Sequence, residues 1–341
     1  MKLSKVKGWG TAKVKELEEK GITTVEEILS IPPPQYAELM DIDNDTAQKH
    51  NRLAREAYKN EHEIPMFKTG TEFDDNENIE KISTGTVQLD RLFMGGVECE
   101  ATTEIYGEFG CGKTQFCHTM AVRVQLPKDQ GGLDGKCIWV NTENTFEKER
   151  IRDISESLEM DSTETLKNVM VANVMNSVEQ MDILGNIEKL LVEDPKIKLI
   201  IVDSATGLFR QDYSGLGMLS ERQKYLDRFL TRCSNISKLH HVAIIWTNQI
   251  YTAPTLFGDG ITPVGGSKIA HKSTYRVYIS KSGKFRVAKM VDSPKDAQTE
   301  VMFGLSKSGV VDMDVAKKEE DQRKKDLTAM KKAAKSGKVE V

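Results

Sequence analysis

No apolar run in this sequence approaches the ~18 residues that a membrane-spanning helix needs. The most apolar stretches, Leu199 to Val202 and Val242 to Trp246, have the length of short buried strands. The N-terminus is Lys-rich and has no apolar signal core, so the expectation is a soluble, intracellular protein without a membrane partner. Cysteine is also scarce. The five present (Cys99, Cys111, Cys117, Cys137, Cys233) are odd in number and never spaced C-x-x-C, which excludes a disulfide scaffold and the common zinc and dithiol motifs. Reduced, mostly buried thiols are expected. With 341 residues, 38% hydrophobic and 29% charged, the chain has room for about two domains, and a coiled rod, a collagen and a wholly disordered chain are excluded.

Carboxylates are missing from one long stretch. Val264 to Met290 carries Lys268, Lys272, Arg276, Lys281, Lys284, Arg286 and Lys289 with no Asp or Glu. The charged tail from Ala316 carries +4, so the remainder of a chain at −4 carries −8. A carboxylate-free basic stretch inside an acidic body reads either as a nucleic-acid footprint or as a solvated strand face. Charge alone leaves both open.

The organisation follows from periodicity and turn signals. Residues 1–60 read as short helices, with Val6, Val14, Leu17, Ile22, Val25, Ile28 and Leu29 at helical spacing between Gly8, Gly10, Gly21 and Pro32 to Pro34. Gly8-Trp9-Gly10 with Thr11 as N-cap resembles a helix-hairpin-helix, and a second, acidic copy begins at Met40-Asp41-Ile42-Asp43. DNA contact and partner docking are both open for this unit. Residues 61–80 read as a linker in which Phe67 lies in a segment too polar to bury it, so that it docks elsewhere. From 81 to 313 strand-like runs (Thr102 to Tyr106, Lys136 to Thr142, Val169 to Val174, Leu199 to Asp203, Val242 to Asn248) alternate with helical ones, the βαβ pattern of an α/β core with a mainly parallel sheet covered on both faces. The tail, 314–341, is expected to be a frayed helix or disordered.

Gly107-Glu108-Phe109-Gly110-Cys111-Gly112-Lys113-Thr114, followed by Gln115, is G-x-x-x-x-G-K-T between a strand and a helix, which is the context of a P-loop. Its backbone N–H groups are suited to cradle the phosphates of ATP, Lys113 to reach the β and γ oxygens, and Thr114 to ligate Mg²⁺. Asp203 ends the apolar run Leu199 to Val202 and is placed to hold the metal's water shell. Glu143 ends the run Lys136 to Thr142, expected to lie next to the P-loop strand, where a carboxylate can polarise a water opposite the γ-phosphate.

Two segments after Asp203 complete the pattern. Arg210 to Gly217, with Tyr213, is a glycine-rich loop ahead of a helix with Leu219, Leu226, Phe229, Leu230, Cys233 and Ile236 on one face, and Arg210 and Arg222 supply charge there. Ile250 to Pro263 is a second loop with Leu256 and Phe257 and one charge, Asp259. Such apolar residues suit wedges between unstacked bases, or packing back onto their own domain.

These strings, with Thr142-Glu143-Asn144-Thr145-Phe146, Glu149-Arg150, Thr247-Asn248-Gln249 and Gly265-Gly266 with His271, resemble the RecA-type recombinase family, in its archaeal RadA and eukaryotic branches. The resemblance runs from Gly8 to about Asp312. It implies a RecA-like P-loop ATPase that forms filaments or rings with itself on single-stranded DNA, pairs it with double-stranded DNA and exchanges strands in recombination and repair, with recombination mediators as partners. It implies a place beside the nucleoid in an archaeon and in the nucleus of a eukaryote. By the same resemblance Glu143 is the catalytic base, Arg150 stacks on the adenine, and Gln249 and His271 sense the γ-phosphate. Pro294 of Asp292-Ser293-Pro294 caps the ATP of a neighbouring subunit, and Phe67-Lys68-Thr69-Gly70 is the polymerisation peptide. The DNA-contacting set is Arg210, Tyr213, Arg222, Phe257, Gly265, Gly266 and Lys268.

The sequence departs from the family pattern at Leu216, where an arginine is usual, and at Asn144, at Glu147-Lys148 and at Gly70 in place of alanine. These departures keep a non-exchanging regulator in view as a rival. A small-molecule P-loop enzyme is the other rival, and it calls for an arginine-rich lid that the sequence lacks.

Overall fold

The structure is a computed structural model, and it describes residues 1–65, 67, 69–70, 79–255, 258–295 and 299–335. For 216, 252–255, 258–263, 267–268, 323, 327 and 329–335 it describes the backbone only.

The first sixty residues form α1 (Thr11–Glu19), α2 (Val25–Ser30), α3 (Pro33–Met40) and α4 (Asn44–Glu61). They pack around the apolar positions that periodicity marks, Val6, Leu17, Ile22, Val25 and Ile28, all buried. Helix α2 starts on a capping box in which Thr24 and Glu27 satisfy each other's backbone N–H groups. Gly10, not Thr11, occupies the N-cap of α1. Its extended backbone ends the turn, and Thr11 is already helical. The acidic run at Asp41 to Asp43 has a structural use, since the Asp43 carboxylate accepts from Thr46 N at 2.8 Å and caps α4.

The following elements are β1 (Lys81–Ile82), α5 (Val87–Leu92), β2 (Val97–Glu98), β3 (Thr102–Gly107), α6 (Lys113–Arg123), β4 (Lys136–Asn141), α7 (Lys148–Ser157), α8 (Ser162–Lys167), β5 (Val169–Asn173), α9 (Ser177–Glu193) and β6 (Ile197–Asp203). Then come α10 (Gly207–Asp212), α11 (Leu219–Leu239), β7 (Ala243–Thr255), β8 (Gly258–Pro263), α12 (Gly266–Lys272), β9 (Tyr275–Ser282), β10 (Phe285–Asp292), β11 (Glu300–Ser306), β12 (Gly309–Val311) and α13 (Met313–Lys335). The large sheet has the order β12-β11-β10-β9-β3-β7-β6-β4-β5. From β9 to β5 every pairing is parallel, whereas β10, β11 and β12 add antiparallel strands at one edge. The expected mainly parallel α/β core is therefore present.

Alternation along the strands distributes side chains to two cores. Cys137, Trp139, Leu199, Ile201 and Ile245 join α6 and α7 on one face, while Ile138, Val140, Ile200, Val202 and Trp246 join α9 and α11 on the other. All five cysteines are free and buried, as their spacing suggested.

Three segments differ from the sequence reading. Residues 210–212, read as the beginning of a loop, are the second half of α10. The expected second loop is a hairpin: β7 continues past the sheet to Thr255 and turns back antiparallel as β8, so its backbone groups pair with each other. The described part of the tail, as far as Lys335, runs as a regular helix, and its first turns are docked. Asp312 accepts from the N–H groups of Val87 and Gln88, and Ala316 lies so close to Gly304 that a Cβ there would stand 2.3 Å away.

Candidate nucleotide site

Because β3, β4, β6 and β7 are parallel, their C-terminal ends share one edge of the sheet, the usual place for a ligand crevice in such folds. At that edge lies a cavity of about 210 Å³ lined by Phe109, Gly110, Gly112, Lys113, Thr114, Gln115, Glu143, Thr145, Asp203, Ser204, Thr247, Gln249 and Leu305. Residues that sequence placed on four separate segments meet there.

The P-loop wraps the N-terminus of α6, whose first N–H groups have no intrahelical partner. Two glycines make the wrap possible. Gly107 passes so close to β9 that a Cβ would lie 2.1 Å from the Ile279 carbonyl oxygen, and Gly112 caps α6 at φ +112°, a region that favours glycine. Lys113 Nζ lies over the loop and donates to the carbonyl oxygens of Gly107 at 3.0 Å and Glu108 at 2.9 Å. Cys111 is buried beneath it.

Asp203, buried at the end of β6, accepts from three hydroxyls: Thr114 at 2.9 Å, Thr145 at 2.8 Å, and Thr247. A P-loop hydroxyl beside a carboxylate, with room for phosphate oxygens, fits Mg²⁺, which usually takes one or two carboxylates and keeps several waters. Glu143 Oε1 accepts from Ser204 Oγ at 2.7 Å and from Gln249 Nε2 at 3.1 Å, so two donors hold the carboxylate at the wall of the cavity that the P-loop also lines. The Asp203–Ser204 peptide is cis.

Arg150 does not line the cavity but reaches its edge. Its Nε donates to Gln115 Oε1 at 2.8 Å, and its other nitrogens donate to the carbonyls of Ser306 and Lys307. His271 is exposed on the last turn of α12, and Pro294 is exposed after β10; neither lines the cavity. Phe67 is 85% exposed, an unusual state for a phenylalanine. Arg210 is exposed on α10, and Tyr213 stacks on Tyr225 at 5.1 Å. Arg222 lies in the first turns of α11, and Gly265 and Gly266 open α12. Phe257 lies outside the described residues, as does the side chain of Lys268.

Sequence reasoning did not single out Thr145, Ser204 or Thr247 as site residues, although strand alternation from Gln249 back to Thr247 could have found the last. It also missed His118, one helical turn after Thr114. That imidazole is fully buried between Trp139 and Phe146. Its Nδ1–H donates to Thr114 O at 2.8 Å and its Nε2 accepts from Glu147 N at 3.0 Å, a pattern that fixes the neutral ring and ties the P-loop helix to the segment after Glu143.

Burial pushes His118 down to about 4 from the ordinary value near 6.5. The unfolded chain therefore binds the proton better. Stability from this group is complete above about pH 6.5 and is lost as pH falls toward 4, by up to about 3 kcal/mol. Urea unfolding across this range is expected to show that slope, and His118→Gln to reduce it. A slope equal to wild type in the variant would remove His118 as its source. Some slope remains in either case, because burial lowers His240 similarly.

β7 and β6 stand between β3 and β4, so Glu143 reaches the cavity from three strands away and not from the strand beside the P-loop that the sequence suggested. A parallel sheet with a P-loop on a central strand, a buried carboxylate at the end of β6 two strands away and helices on both faces defines a RecA-like P-loop protein of the α/β class. Residues 75–313 match the Rad51 family. The chain is 40% identical over 327 residues to the DNA repair and recombination protein RadA of Cenarchaeum symbiosum, covering 95% of this chain and 82% of that one. It is 38% identical over 308 residues to the proteins of the same name from Metallosphaera sedula and Aeropyrum pernix, covering 89% of this chain and 94% and 95% of theirs. The chain belongs to the Rad51 family.

Proposed function

We propose that this protein is an ATP-dependent recombinase that polymerises on single-stranded DNA and catalyses homologous pairing and strand exchange in recombination and repair. The observation that carries the reading is the single cavity in which Lys113 and Thr114 face Asp203, Glu143 and Gln249. Its relatives, named DNA repair and recombination proteins, support it.

In this reading the P-loop amides and Lys113 bind the triphosphate, and Thr114 and Asp203 hold Mg²⁺. Held there, the metal would supply positive charge that offsets that of the triphosphate. Glu143, oriented by Ser204 and Gln249, accepts a proton from the attacking water. Gln249 and His271 sense the γ-phosphate, Arg150 stacks on the base, and Pro294 caps the nucleotide of the next protomer. Arg210, Tyr213, Arg222, Gly265, Gly266, Lys268 and Phe257 contact DNA. We assign 1–60 to a helix-hairpin-helix domain, 61–80 to a linker, 81–313 to the ATPase core and 314–341 to a tail. Phe67 inserts into the neighbouring protomer; its exposure supports this.

The test is ATP hydrolysis with and without single-stranded DNA beside a strand-exchange assay at fixed, stated salt. Stimulated hydrolysis with exchange is expected. DNA-independent hydrolysis without exchange would transfer the reading to a regulator. Phe67→Ala is expected to lower self-association in light scattering while leaving nucleotide binding within about twofold, since removing a buried aromatic anchor costs at least ~2 kcal/mol at such a contact. Unchanged assembly would remove Phe67 from the interface.

A further inference from the structure

We infer that Asn248 is a positioning residue that makes the roots of both DNA-contacting segments move with the nucleotide strand. The inference deepens the proposed function and rests on that reading of the site.

The argument begins with the pleat of β7. Thr247 and Gln249 point to the nucleotide face, where they meet Asp203 and Glu143. Period two then turns Asn248 the other way, into a fully buried position. Both hydrogens of its amide and its oxygen are engaged there. Nδ2 donates to Glu104 Oε1 at 2.8 Å and to the Val264 carbonyl at 2.7 Å, and Oδ1 accepts from Thr206 Oγ1 at 2.8 Å.

Each partner leads to a different part of the machine. Glu104 lies on β3, three residues before Gly107, and its other oxygen accepts from Arg276 Nε of β9 at 2.7 Å. Thr206 is the N-cap of α10, which carries Arg210. Val264 immediately precedes Gly265 and Gly266, and its N–H donates to the Gln249 carbonyl at 2.9 Å. One residue is thus held by the backbone of Gln249 and by the side chain of Asn248. Breaking any of these bonds leaves a buried polar group unpaired, so the strand end and the two roots behave as one unit. A displacement of Gln249 on contact with a γ-phosphate then carries both roots along. Thr206 serves the first DNA segment alone, whereas Asn248 serves both.

The experiment measures single-stranded DNA affinity by fluorescence anisotropy in ADP and in a non-hydrolysable ATP analogue, for the full chain and for Asn248→Ala, Asn248→Asp and Thr206→Val. For wild type the ratio of affinities is expected in the roughly 5- to 150-fold range of allosteric couplings. Asn248→Ala and Asn248→Asp are expected to bring it to within about twofold of one while binding the analogue within about twofold of wild type, and Thr206→Val to fall between. A wild-type ratio in Asn248→Ala overturns the inference. Loss of analogue binding in step with the ratio also overturns it, because a merely structural residue would act that way. If the Asn248 variants do not fold, Thr206→Val decides alone, and a wild-type ratio there refutes the inference. A wild-type protein with no nucleotide dependence of DNA affinity would count instead against the proposed function.

Discussion

Glu143→Gln is expected to bind ATP and DNA like wild type and to hydrolyse ATP about 10²- to 10⁴-fold more slowly, the range of a lost general base. The substitution suits the site because glutamine keeps the length of the side chain and an oxygen for the Ser204 hydroxyl, which donates at 2.7 Å. Only the ability to take a proton is removed. Gln249, which donates to the same oxygen at 3.1 Å, also keeps its partner. Fluorescent-nucleotide titration, DNA anisotropy and single-turnover hydrolysis separate binding from chemistry. Hydrolysis at the normal rate would show that another group activates the water. Tighter DNA binding under turnover conditions is a further consequence, since the ATP-bound protomers would persist.

The parts legible in the sequence are those whose signal is local. The P-loop is contiguous, the strands ending at Asn141 and Asp203 announce themselves as short apolar runs buried on both faces, and the strand ending at Gly107 shows as a β-rich run before the P-loop. The parallel sheet follows from their alternation with helices, and the meeting of Lys113, Asp203 and Glu143 follows from the shared edge. What was not legible depends on pairing across distance. The hydroxyls of Thr145 and Thr247 matter because Asp203 lies between them, and no spacing along the chain reveals that. His118 has a helical spacing from Thr114 that any buried residue of α6 could have, and only Glu147 shows its use. The β7–β8 hairpin escaped because Ile250 to Pro263 is rich in Gly and Pro, which read as loop, while its pairing is supplied by the two arms themselves. The antiparallel edge from β10 to β12 was missed because β10 intersperses charged with apolar residues and β12 is only three residues long, and the strand series read from sequence stopped at Asn248.

Lys113→Ala is expected to weaken ATP binding by about 10²- to 10⁴-fold, as the loss of two charge-assisted hydrogen bonds of ~1.5–3 kcal/mol each. The ammonium now donates to the carbonyl oxygens of Gly107 and Glu108, two acceptors of its own loop. Phosphate oxygens are better acceptors than carbonyls, so binding exchanges these contacts for stronger ones while the loop amides turn to the same ligand. The rest of the fold does not lean on this side chain, whereas Gly107 and Gly112 hold the loop's path through close approach and positive φ. Thermal unfolding of the ligand-free variant should therefore stay near wild type, and the stabilisation that saturating Mg-ATP confers on wild type should disappear from it. An alanine variant that still gained the full ligand-induced shift would mean that the nucleotide binds elsewhere, and Glu143 and Asp203 would then lose their assigned partner as well. Loss of the shift together with retained Mg-ATP-independent DNA binding would isolate the lysine's role to the triphosphate.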